Sequence, residues 1–201
     1  MSDVWELYRW QPSFVLGFHG TDAGVVETVV QSPLDGLKKS ESTTEWLGHG
    51  VYFWEQDPGR ALDWASNGKT KGTVTKPDVV GAIIDLGYCL DLTTISGLEE
   101  VRQAYETLRD SCTLAGVPLP RNTGGADRLK RELDCAVIQS LHLYRKERCM
   151  RPYDSVRAPF PEADVLYDES GFRAKNHIQV CVINTAQCIK GYFKPIPGAK
   201  G

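Results

Sequence analysis

No stretch of the 201 residues approaches the ~18 consecutive apolar residues of a membrane span. Nor is there an excess of one charge. The 23 Lys and Arg stand against 26 Asp and Glu, a net −3, so the chain lacks the global positive field that drives unspecific binding to nucleic acid or membrane surfaces. The opening MSDVWELYRW carries acids and a base where a secretory signal has its apolar core, and a cytoplasmic protein without membrane contact is expected. The six cysteines, Cys89, Cys112, Cys135, Cys149, Cys181 and Cys188, contain no C-x-x-C pair, which argues against a zinc site and against a small disulfide framework. No metal site is expected. There is no repeat of 20 to 50 residues and no long polar linker, so one domain over residues 1–201 is expected. What is present, 41% hydrophobic and 24% charged residues, is a globular composition long enough to bury roughly 70% of the unfolded surface, which excludes disorder, collagen and coiled coil.

The apolar run from Phe14 to Phe18, ended by His19-Gly20-Thr21, predicts a buried strand, and Ala23 to Gln31 a helix with Val25, Val26, Val29 and Val30 on one face. Gly50 to Trp54 reads as a second strand. Asp57-Pro58 then starts a short helix to Asn67 that stops at Gly68, with Asp as cap and Pro in the first turn. Val79 to Leu86 reads as a third strand, with Cys89 to Leu92 pairing nearby. Ser96-Gly97-Leu98-Glu99 has the form of a capping box ahead of Leu98, Val101, Tyr105, Leu108 and Cys112 at helical spacing. After a Pro- and Gly-rich break, a second amphipathic helix is predicted from Ala126 to about Glu147, so that residues 96–150 form an inserted helical segment. Val165 to Tyr167, a turn at Asp168 to Gly171, the strand His177 to Ile183 and a short strand Ile189 to Phe193 complete an α+β order. Along the His177 strand, His177, Gln179 and Cys181 share one face.

Taken singly, Tyr52 and Trp64 also read as core aromatics and His19 as a turn histidine. Their order gives them another meaning. Phe18-His19-Gly20-Thr21 ends one strand, Gly50-Val51-Tyr52-Phe53 forms the next, Ala61-Leu62-Asp63-Trp64 lies on a short helix, and His177-x-Gln179 opens a late strand followed by Asn184-Thr185-Ala186-Gln187. This series, over about a third of the chain, resembles the ADP-ribosyltransferase superfamily, in particular its diphtheria-toxin-like and poly(ADP-ribose) polymerase branch, whose pattern is His, Tyr and usually Glu. The resemblance implies a split β-sheet core and NAD as co-substrate, with ADP-ribose transferred to a protein or nucleic-acid acceptor. The superfamily includes bacterial toxins and antiviral effectors, so a neutralising antitoxin partner is a further expectation. A NAD glycohydrolase and a noncatalytic NAD- or ADP-ribose-binding module are the alternatives.

Breaking the glycosidic bond of NAD passes through an oxocarbenium-like state, so an enzyme for it must hold the nicotinamide and favour positive charge on the sugar. On the resemblance, the Gly20 backbone pairs with the nicotinamide amide, Tyr52 and Trp64 sandwich the pyridinium ring, His19 bonds the adenosine ribose, and Thr21 adds a hydroxyl contact. Gln179 stands where the family usually has Glu. It accepts a hydrogen bond without supplying a carboxylate, which lowers transition-state stabilisation by about 1 to 2 kcal/mol and favours single transfer over chain elongation. His177 is then a candidate general base and Glu169 a candidate acceptor contact. Arg60 is the first candidate for the pyrophosphate, with Arg9 and Arg173 on flanking segments. The cluster Arg145-Lys146-Glu147-Arg148 with Arg151 reads as a solvated helix end or as a phosphate patch.

Overall fold

A computed structural model describes residues 14–32, 36–67, 74–125 and 127–196. Its fold is α+β. Strands β1 (Phe14–Asp22), β2 (Val51–Glu55), β3 (Pro77–Asp85), β4 (Cys89–Asp91), β7 (Ser155–Phe160), β8 (His177–Val182) and β9 (Ile189–Phe193) form a seven-stranded sheet in the order β4-β7-β8-β2-β1-β3-β9. Every neighbouring pair is antiparallel except β4 and β7. The helices are α1 (Ala23–Gln31), α2 (Pro58–Asn67), α3 (Ile95–Ala115), α4 (Glu132–Glu147) and α5 (Thr185–Cys188), and β5 (Asn122–Thr123) pairs with β6 (Lys130–Arg131) between α3 and α4.

The sheet has one weak seam. β1 and β3 stay in register from Phe14↔Asp85 to Asp22↔Pro77, whereas β1 meets β2 only at Gly17↔Glu55 and Phe18↔Trp54. On one face Val26 and Val29 of α1, which lies against β1, β3 and β9, share one core with Phe53, Val80, Ile84 and Val180 from both halves. Val25, expected on the same stripe, lies at its rim and is exposed. The other face carries two separate covers. Ala104 of α3 and Val137, Ile138 and Leu141 of α4 bury Leu90, Val156, Ala158 and Cys181, while Ala61 of α2 closes over Phe18, Trp54 and Val79. Between these covers the sheet floor stays open.

Local chemistry sets the element ends. Asp22 ends β1 and caps α1: Gly24 N–H donates to Oδ1 at 3.1 Å, and Oδ2 accepts from Thr75 N–H, Thr75 Oγ1–H and Lys76 N–H. These bonds hold its carboxyl well below the ordinary range. Asp57 caps α2 through Arg60 N–H at 2.8 Å, as the Asp-Pro step predicts. The Gly68 stop and Ala126 lie outside the described residues.

Three expectations are corrected. The cap of α3 is Thr94, whose hydroxyl accepts from Gly97 N–H at 3.1 Å, which leaves Ser96 inside the first turn. α4 begins at Glu132 because its cap comes from elsewhere: Asn122 Oδ1 accepts from Leu133 N–H at 2.9 Å and Asp134 N–H at 3.2 Å. Val165 to Tyr167 holds only an isolated bridge, Val165↔Arg173, while β7, where Arg157 and Pro159 interrupt the apolar pattern, is an internal strand between β4 and β8. No helix among the described residues is long and apolar enough to cross a membrane.

α2 rides on β1 at Gly20, where a Cβ would sit 1.9 Å from the Ala61 carbonyl oxygen. Gly20→Ala is expected to force the helix off the sheet at a cost of about 1–3 kcal/mol or more. Gly171→Ala, into open space, is expected to stay within about 0.5 kcal/mol of the parent. Urea midpoints of the two variants check the difference.

Candidate functional site

The gap between the covers is a cleft of about 340 Å³ over β2 and β8 beside α2, within the size range of small-molecule sites. Tyr52 and Trp54 from β2, Gln179 from β8, and Arg60 and Trp64 from α2 line it together. Four of the residues singled out from sequence, Tyr52, Arg60, Trp64 and Gln179, thus converge from three elements. Trp54 faces the cleft because it is two residues from Tyr52 on the same face of β2, and it opposes Gln179 across the ladder. Its ring lies 5.7 Å from that of Trp64 at 49°.

His19 closes the seam below the cleft. One residue past the last β1–β2 pair, its Nδ1 lies 2.8 Å from the Tyr52 carbonyl oxygen. A carbonyl only accepts, so Nδ1 carries the proton and Nε2 the lone pair. Burial pushes the His19 pKa down, against the raising effect of that bond, and the ring is neutral. Leu16 C=O accepts from Gln56 N–H on the β2 side, and the two-residue alternation of a strand points the Gly20 N–H and C=O the same way, where β2 has departed. Thr21 lies opposite Asp78 at the end of β1 and does not line the cleft.

Tyr52 contributes its ring while its hydroxyl is engaged, donating to Gly48 C=O at 2.6 Å and accepting from Leu47 N–H at 2.8 Å. Burial raises its pKa well above the ordinary value. Gln179 differs, since its amide makes no hydrogen bond to any described residue and is available to a ligand. Arg60 reaches the cleft with its charge already matched. Nη2 bonds both oxygens of Glu162 at 2.9 and 2.8 Å, and Nη1 bonds Asp63 at 3.0 Å, which also holds Lys175 at 2.8 Å. Two buried donors nearby, Trp54 Nε1–H and Arg60 Nε–H, have no acceptor among the described residues.

Two candidates lie elsewhere. The His177 side chain is fully buried and packs against the rings of Phe160 at 5.7 Å and of Trp54 and Trp46 at 6.4 Å. Its Nδ1 bonds Lys175 C=O at 2.7 Å, burial lowers its pKa, and it does not line the cleft. Glu169 is exposed in a left-handed turn, φ 62°, on the 161–176 loop. That loop does supply Glu162 and Lys175 to the cleft from its two ends. Arg173 is likewise on this loop and bonds Ala163 C=O, while Arg9 lies outside the described residues. The basic cluster is not a uniform patch: Arg145 is buried with its guanidinium 4.4 Å from the centre of the Tyr153 ring.

Sequence reasoning missed Glu45, Trp46, Trp54, Asp63, Glu162 and Lys175. Trp54 was accessible through strand alternation from Tyr52, and Asp63 through its i,i+3 spacing from Arg60. The others come from irregular segments that carry no periodic signal.

His19, His142 and His177 are all held neutral by burial, His142 at about 4 against an ordinary 6.5. Below pH 6.5 the unfolded chain binds protons that the folded chain refuses. Their contribution is therefore complete above that pH and is lost as pH falls toward the folded values. Between pH 7.5 and 5, His142 alone is expected to remove about 2 kcal/mol. Urea midpoints at the two pH values check this, and His142→Gln is expected to shrink the drop; an equal drop in that variant would contradict the assignment.

Compared with known proteins, this chain matches no family model and no curated protein, so the cleft's own geometry carries its functional reading.

Proposed function

We propose that the protein is a NAD-dependent mono-ADP-ribosyltransferase with an ADP-ribosyltransferase-like split sheet, acting on a macromolecular acceptor. The observation that carries this reading is the convergence of Tyr52, Trp64, Arg60 and Gln179 on one cleft at a seam closed by a neutral His19. The aromatic walls fit a flat pyridinium cation through burial and cation–π attraction. The Gly20 main chain faces the side where a carboxamide would pair, and the unbonded Gln179 amide suits a ribose hydroxyl. With its lone pair on Nε2, His19 accepts a hydrogen bond from a sugar hydroxyl and positions the dinucleotide without proton exchange.

Arg60 stabilises the cleft wall through Glu162 and Asp63, and the pyrophosphate meets it only as part of that neutral network. His177, sealed behind Trp54, acts on the shape of β8 rather than as a base in contact with the acceptor. The acceptor is macromolecular in this reading because the 161–176 loop, which frames the cleft, exposes Val165, Leu166, Tyr167 and Phe172 beside Glu169. Apolar side chains clustered at a site mouth mark a contact surface. A second reading, a noncatalytic NAD- or ADP-ribose-binding module, is favoured by one observation, the amide at Gln179 in place of a carboxylate.

Purified protein incubated with adenylate-labelled NAD and, separately, total cell protein or total RNA is expected to release nicotinamide and label one of the two fractions. Trp64→Ala is expected to lower that release on the order of tenfold or more, a loss of about 1.4 kcal/mol. Nicotinamide release with no labelled acceptor would identify a glycohydrolase, NAD binding without release a binding module, and neither would end the NAD reading.

The double substitution Tyr167→Ala/Phe172→Ala is expected to lower label transfer several-fold while leaving nicotinamide release into water unchanged. Equal effects on both would remove the loop from acceptor recognition.

A further inference from the structure

Among the described residues three carboxylates line the cleft, and their surroundings differ. Glu162 spends both oxygens on Arg60, and Asp63 is shared by Arg60 and Lys175. Glu45 enters no ion pair among the described residues. Among them its carboxylate accepts one hydrogen bond, from Ser40 Oγ–H to Oε1 at 2.6 Å. No ion pair among the described residues matches its charge, in contrast to Asp63 and Glu162. After burial itself, that charge is among the influences raising the Tyr52 hydroxyl and the Cys181 thiol, which places Glu45 near the β2 and β8 floor that carries Gln179.

The segment that delivers Glu45 is tied at several points. Ser40 and Gly50 exchange backbone hydrogen bonds of 2.8 and 3.1 Å, and Glu45 N–H bonds Ser42 C=O at 3.3 Å. Two residues further on, the Tyr52 hydroxyl grips Leu47 and Gly48. A charge held this way before the ligand arrives needs no reorganisation during a reaction.

We propose that Glu45 is a catalytic residue, the carboxylate that stabilises positive charge on the ribose as NAD is cleaved. This rests on the NAD-cleaving reading above and deepens it. In the step, the bond between ribose C1′ and the pyridinium nitrogen breaks with both electrons passing to nitrogen, so nicotinamide leaves neutral and the positive charge moves to the sugar. The acceptor nucleophile then gives an electron pair to C1′ and releases its proton to water. Gln179 hydrogen-bonds the ribose but carries no charge, and the carboxylates of Asp63 and Glu162 are already neutralised. Glu45 is the carboxylate in the cleft whose field is left for the sugar.

The test compares wild type, Glu45→Gln and Glu45→Gln/Gln179→Glu, measuring nicotinamide release from NAD, NAD affinity by tryptophan fluorescence, and thermal midpoint. Glu45→Gln is expected to bind NAD within about threefold of wild type and to turn it over on the order of 10²-fold more slowly, the scale of removing one preorganised electrostatic group. A carboxylate at position 179 is expected to recover at least about tenfold of that loss, because the charge and not the loop shape is what was removed. Unchanged turnover in Glu45→Gln overturns the proposal. So does a loss matched by an equal loss of affinity or midpoint, or one that the second substitution does not recover. A wild type that binds and cleaves NAD while Glu45→Gln keeps pace sinks the Glu45 role alone, whereas a wild type that neither binds nor cleaves NAD sinks the functional reading and this role with it.

Discussion

The early parting of β1 from β2 is the constraint on which the rest of this structure depends. Two register pairs join halves that are elsewhere paired along whole strands. Backbone groups just beyond the last pair need other partners, because a buried and unpaired peptide group costs about 1–3 kcal/mol. His19 supplies one of them by donating to the Tyr52 carbonyl, while the Tyr52 hydroxyl engages Leu47 and Gly48 on the approach to β2. Tyr52 thus both repairs the seam and lines the cleft, with His19 directly beneath it. Conserving the function of either ring while removing its hydrogen bonds is correspondingly difficult.

Charge in the cleft is arranged as a neutral block and one exception. Arg60 and Lys175 are matched by Glu162 and Asp63, which fixes α2 against both ends of the 161–176 loop. Arg60 and Glu162 are largely shielded from water, with side chains 11% and 15% exposed, so this pair is screened less by salt than a surface bridge. Breaking one partner would strand the other in a partly dry wall. Among the described residues that line the cleft, Glu45 is the carboxylate outside this ion-pair network.

Much of this was legible in the sequence wherever one residue and its near neighbours decide the outcome. The Asp57-Pro58 cap fixed the start of α2, alternation put Gln179 and Cys181 on one face of β8, and the apolar run from Phe14 marked β1, although the strand continues past the expected stop at Gly20-Thr21 to Asp22. Long-range partners were not legible. The start of α4 depends on Asn122, eleven residues before the first amide it caps, and the local pattern therefore extended the helix too early. β7 hides its strand character because Arg157 reaches Glu55 at 2.6 Å across β8, an ion pair with no trace in local periodicity. The candidate site divides along the same line: β2, β8 and α2 delivered recognisable residues, whereas Glu45, Glu162 and Lys175 arrive on loops whose course is set by what they pack against.

A seam of this kind explains why the site lies where it does. In a continuous sheet β1 and β2 would pair throughout, and the N–H and C=O groups of Gly20 would be consumed by the ladder. Parting the strands leaves that edge without a strand partner, and the missing side chain at Gly20 lets α2 approach closely enough for Arg60 and Trp64 to form one wall of the cleft. On the far face, one continuous apolar core that includes α1, Phe53, Val80 and Ile84 draws on both halves. The apolar side chains of that core and those that face the cleft therefore lie on opposite faces of the same strands, so the strand alternation that builds the core also dictates which residues of β2 and β8 face the cleft.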